Sequence, residues 1–95
     1  MSMKESYEKK LRAQIDEWNA EIDKLKAKAD KAEADMEIEM HNRIDELRSR
    51  RDRMNEKLAD LKNASDDAWE DIKAGIESAG NSLRNAIRAA SSEFK

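Results

Sequence analysis

Apolar residues recur along this chain in steps of three and four. From Leu11 they run through Ile15, Trp18, Ile22, Leu25, Ala29, Ala32 and Met36. A repeat of about 3.5 residues holds one face of a helix toward a partner, so this spacing predicts a long α-helix with an association seam. The seam continues through Met40, Ile44, Leu47, Arg51, Met54, Leu58, Leu61, Ser65, Ala68, Ile72 and Ile76, with Trp69 beside it. It ends on Gly80, Leu83, Ile87, Ala90 and Phe94. Two slips interrupt the step: Ala32 to Leu47 and Ala68 to Leu83 are each fifteen residues, one more than two heptads. Each extra residue relaxes a left-handed supercoil locally. Ala29 and Ala32 thin the seam, and Arg51 and Ser65 interrupt it with polar groups. A polar seam residue can fix register, or, for Arg51, the stem can carry its charge out to the surface.

The ends of the pattern carry capping signals. Ser2 and Glu5 have capping-box spacing, which predicts a helix start there. The best break lies at Lys62-Asn63-Ala64-Ser65-Asp66-Asp67. Asn63 can end a helix in the left-handed conformation, Ser65 can cap the next, and Asp66, Asp67, Glu70 and Asp71 suit its positive end. The expected fold is all-α: a long coiled-coil helix over residues 1–62, a turn or helix irregularity at residues 63–67, and a C-terminal amphipathic helix over residues 68–95. These form one structural unit, a helical hairpin assembling into an oligomeric bundle or coiled coil. The alternative, with the seam in phase through Leu61, Ser65 and Ala68, is one continuous rod.

Composition strengthens the helical reading. The 95 residues are 43% charged, with two glycines and no proline, and fourteen are alanine. These are the proportions of a long helix or coiled coil rather than of a compact globule. Six Leu, seven Ile, five Met and four aromatic residues are too few for a broad core but enough for a narrow seam. A seam alone is a thin source of stability, so association with other copies is expected.

Charge narrows the choice of partner. The net charge of −3 gives no strong attraction to nucleic acid. The absence of cysteine excludes a disulfide framework and thiol chemistry. No signal-peptide pattern opens the chain and no apolar window approaches the ~18 residues of a membrane span, so a cytoplasmic location is expected. Acid-first pairs four apart, such as Glu5 with Lys9, Glu8 with Arg12, Glu39 with Arg43 and Glu46 with Arg50, suit an exposed helix face. Residues 16–39 hold nine acids and four bases, whereas residues 43–57 hold six bases and four acids. Antiparallel or staggered pairing of two copies would set the acidic stretch against the basic one.

Candidate chemistry is sparse. His41 has Glu37 and Asp45 one turn to either side, a face that could hold a divalent metal. In a chain this charged the same trio is expected as ordinary solvated surface, and no metal or cofactor is assigned. The Arg48-Ser49-Arg50-Arg51-Asp52-Arg53 run could touch phosphates but is interleaved with acid and lacks aromatic neighbours, which favours a solvated face. Trp18 and Trp69 suit packing anchors or interface hot spots. The face formed by Ile72, Ile76, Leu83, Ile87 and Phe94 could rest on a membrane surface, but its polar side carries few bases, which favours helix packing. No phosphate loop, paired histidine or cysteine nucleophile is present, so no catalytic residue is expected.

The segments YEKKL (residues 7–11), KLKAKADKAEAD (residues 24–35) and ASDDAWEDIKAGIE (residues 64–77) resemble a group of small bacterial coiled-coil proteins, some linked to stress responses. The third, with a Trp in an acidic setting, is the most specific. Members often carry another Trp shortly after it, where this chain has Gly80 and Asn81. The resemblance implies a helical, self-associating protein without catalytic residues. The expected function is a non-enzymatic structural or interaction protein whose main partner is itself. An adaptor for another protein, or peripheral lipid binding through the C-terminal helix, are the alternatives.

Overall fold

The computed structural model describes residues 2–94. Its first helix, α1 (Met3–Asp30), starts where the Ser2 hydroxyl accepts the Glu5 N–H at 3.2 Å. That bond satisfies one of the donors a helix start leaves free. The second helix, α2, spans Ala34–Asn63 and the third, α3, spans Trp69–Glu93. All three are α-helices, and the described residues contain no strand. They lie side by side as an up-down-up bundle, in which α1 pairs with α2, α2 packs on α3, and the α1/α3 interface is the thinnest.

The long helix expected over residues 1–62 is therefore two helices. The chain turns back at residues 31–33. The Lys31 N–H donates to the Lys28 carbonyl and the Ala32 N–H to the Ala29 carbonyl, tightening the last turn of α1. Glu33 then adopts extended backbone at φ −64°, ψ 152°, and α2 begins. Three residues suffice to join antiparallel helices. Small side chains make the closed end workable: Ala29 is fully buried where the helices leave the turn. The thin stretch of seam thus belongs to a tight reversal. Electrostatics agrees, with Lys28 in the last turn of α1 and Asp35 and Glu37 in the first turn of α2, each sign suiting its end of the helix dipole.

The second reversal occupies residues 64–68. Asn63 does not take the left-handed conformation expected of it: no described residue has positive φ, and Asn63 remains helical. The helix ends because Ala64 swings to extended backbone (φ −75°, ψ 146°). Two carbonyl groups at this end, one in the last turn of α2 and one just past it, are claimed from elsewhere in the bundle. The Lys4 ammonium donates to the Lys62 and Ala64 carbonyl oxygens at 3.1 and 2.6 Å. Ser65 caps the approach to α3, its hydroxyl and carbonyl both accepting the Ala68 N–H.

One continuous core runs along the bundle axis. Ile22, Ile44, Met54, Leu61, Ile76 and Leu83 are its most enclosed large side chains. Burying each contributes about 1.5–3 kcal/mol relative to exposure. The molecule measures 51 × 19 × 18 Å with a radius of gyration of 15.4 Å. A compact domain of this length would have about 13 Å, so this one is elongated. The slip between Ala68 and Leu83 falls inside unbroken α3, where Ile72, Ile76, Gly80 and Leu83 step four, four and three. Eleven residues in three turns suit a nearly straight helix.

Candidate functional site

The seam is the feature from which a function was expected, and most of it is consumed in folding. Leu11, Ile15, Trp18, Ile22 and Leu25 of α1 are buried, as are Met40, Ile44, Leu47, Met54 and Leu61 of α2 and Trp69, Ile76, Leu83 and Ile87 of α3. Leu58 and Ile72 lie half-buried against this core. Met36 is a correction, because it is 54% exposed. It sits in the first turn of α2, just past the reversal, where α1 has already ended. Ile38, off the seam on the same turn, is 69% exposed.

The polar interruptions act between helices. The Arg51 guanidinium donates to Asn19 Oδ1 on α1 at 3.1 Å and to Asp52 Oδ1 at 2.9 Å. Its stem lies along the seam edge while its charge stays partly solvated. That bond, with His41 facing Asp30, sets the α1/α2 register so that acid-rich residues 16–30 run beside the basic part of α2. Asp30 with His41 is the acid–base contact between α1 and α2 among the described residues, because Glu33, Asp35, Glu37 and Glu39 of the acidic stretch lie in the turn and on α2 itself. Of the expected pairs along one helix, Glu46 and Arg50 meet at 3.1 Å, while Arg43 reaches Glu93 on α3 at 3.0 Å. Arg50 also donates to the Ser82 hydroxyl of α3.

Trp69 opens α3 and packs beside Tyr7 of α1, ring centroids 6.0 Å apart and tilted by 42°. Lys73 lies over both rings, 5.2 Å from the Tyr7 centroid and 5.8 Å from that of Trp69. Burial pushes the Tyr7 phenol above its ordinary pKa, and the Glu77 carboxylate pushes it the same way. Next to this cluster the thin α1/α3 interface leaves an open groove of about 240 Å³. Its floor is Leu11, Trp18, Met54 and Ile76, and Lys10 and Arg84 stand at its edges. The apolar face of α3 is turned inward, so a membrane could engage it only by displacing α1 and α2.

His41 keeps one of the two neighbours its helix suggested. Its Nε2 lies 3.1 Å from Asp30 Oδ1 and 3.6 Å from Glu37 Oε1. Glu37 was expected from spacing along one helix; Asp30 arrives from α1 through the reversal, in place of Asp45. Among the described residues, no helix is long and apolar enough to cross a membrane. The chain matches no family model, no curated protein and no solved structure.

Proposed function

We propose that this chain is a non-enzymatic structural and interaction protein that associates with itself by exchanging helices across residues 31–33. One observation carries the reading: nothing in the reversal is committed to being bent. It contains no glycine or proline, no residue with positive φ, and no side-chain cap on α2. Lysine, alanine and glutamate are all good helix formers. If residues 31–33 become helical, α1 and α2 form one helix, and the seam that packed within one chain packs on a second copy instead. The pairing is antiparallel and keeps the acidic stretch beside the basic one. Such exchange leaves the contacts themselves nearly unchanged, so it is a low-cost route to a dimer. The resemblance of residues 64–77 to small bacterial coiled-coil proteins supports a self-associating role under stress, and a cytoplasmic setting belongs to the same proposal.

The test is an Ala34→Pro variant studied by light scattering across a concentration series. Proline suits the first position of a helix, and Glu33 already has the extended backbone preferred before proline. Inside a straightened helix the same proline costs about 3 kcal/mol. The wild-type chain should grow from one copy to two with concentration, and Ala34→Pro should remain single. Equal dimerisation of both, or a wild-type chain that stays single at millimolar concentration, refutes helix exchange.

A further inference from the structure

The geometry points to a divalent transition-metal site formed by Asp30, Glu37 and His41 across the α1/α2 reversal, with zinc the best-suited ion. The three donor atoms lie within 4.8 Å of one another. Zinc binds imidazole nitrogen and carboxylate oxygen at about 2.0–2.2 Å, so donors around one tetrahedral ion stand about 3.4 Å apart. The His41 Nε2 separations of 3.1 and 3.6 Å from the two carboxylates bracket that figure. Only the gap between the carboxylates has to close, and both belong to side chains that are 42–49% exposed and free to move.

The surroundings favour such an ion. With neutral imidazole the trio carries two negative charges, matching a divalent cation. Glu37 and His41 are four apart on α2, the spacing that puts two ligands on one helix face. Asp30 is oriented from the other side: its Oδ2 faces the Lys26 ammonium at 3.5 Å, while its Oδ1 faces His41. A partner that orients a ligating carboxylate in this way is a usual part of a metal site. Three protein ligands on a partly exposed surface leave a fourth position for water. In a straightened helix Asp30 and His41 of the same chain would be about 16 Å apart along the axis, so within one chain it is the reversal that assembles the trio.

The experiment is calorimetric titration of zinc chloride into the untagged full chain, with magnesium chloride as the control ion. The chain has a single histidine and no cysteine, so His41 is the only imidazole or thiol that can contribute. One zinc per chain should bind and magnesium should not compete. His41→Ala and Asp30→Asn should each weaken binding by about tenfold or more, while Asp45→Asn leaves it unchanged. Circular dichroism checks that each variant stays helical. Ala34→Pro, held in the bent form, should bind zinc as the wild type does, which separates this test from that of helix exchange. Zinc binding that survives His41→Ala, or that falls with Asp45→Asn and not with Asp30→Asn, overturns the site, as does the absence of a zinc heat in the wild-type chain.

Discussion

Single residues set how closely the helices approach. Gly80 lies on the buried face of α3, where a Cβ would stand 3.2 Å from Trp18 Cη2 and 3.7 Å from the Met54 methyl group. Trp18 is itself 3% exposed, so a bulky side chain at position 80 must push the indole out of its packed position or turn into the neighbouring α1/α3 groove. A Gly80→Leu substitution should therefore destabilise the bundle by about 1–3 kcal/mol through overpacking, although leucine is the better helix former. Urea denaturation measures the loss, and it should shrink in a Trp18→Phe background if the indole is the obstacle. Tyr7 gives a second residue-scale expectation, with a definite sign. Its folded pKa is raised, so the folded state holds the phenolic proton more tightly than the unfolded state does. Its contribution is fully present below about pH 10 and is lost as pH rises through the folded pKa. Melting temperatures above pH 10 should fall more steeply for the wild type than for Tyr7→Phe. Because Tyr7 is the chain's one tyrosine, its ultraviolet titration reads the raised pKa directly.

At the scale of elements, the ends of helices decide the topology. The C-terminus of α2 is served by Lys4, which reaches from the first turn of α1 to the Lys62 and Ala64 carbonyl groups. Lys4→Met keeps most of the stem and removes the donor. It should cost about 1 kcal/mol, seen as a lower urea midpoint with an unchanged slope, because two carbonyl groups lose a charged partner to water. This bond was beyond reach of the sequence, since it joins residues 58 and 60 positions apart. The buried positions, by contrast, were legible from spacing: a residue on the inner stripe of a helix is buried whether the covering helix is its own chain's or another's. The same indifference hid the reversal at residues 31–33. The seam stayed close to phase across it, and no glycine, proline or side-chain cap marked it. Three weaker signs did lie there: the fifteen-residue slip from Ala32 to Leu47, the change from lysine before the turn to acid after it, and a seam reduced to Ala29 and Ala32. Met36 was misplaced for the same reason, since a stripe extended through the turn assigns burial to a residue that stays half exposed at the end of the bundle. The Asp30 contact with His41 was equally hidden, because within one chain it takes the reversal to bring those residues together.

The whole molecule poses a choice between two ways of burying one stripe. In the closed form each chain covers its own seam and measures 51 Å along its axis. In the exchanged form two chains share straight helices running from the start of α1 to the end of α2, on the order of 90 Å long. The core contacts are nearly the same in both, so the balance rests on the reversal, on the entropy of association and on concentration. Ala34→Pro acts on the first of these in two ways. It leaves the bent form unstrained, because Glu33 is already extended and Ala34 is the first helical residue. It also removes conformational freedom from the unfolded chain, which stabilises a compatible native state by about 0.4–1 kcal/mol. The variant should thus melt slightly higher than the wild type at low concentration, while the straight helix is penalised once in each chain of an exchanged dimer. Small-angle scattering distinguishes the forms by shape as well as by mass. The wild-type chain should keep a radius of gyration near 15.4 Å when dilute, and its longest dimension should approach about 90 Å as its mass doubles. The proline variant should gain neither mass nor length. Doubled mass without lengthening would mean that closed bundles dock side by side, with Met3, Met36 and Ile38 the exposed large apolar residues to substitute next.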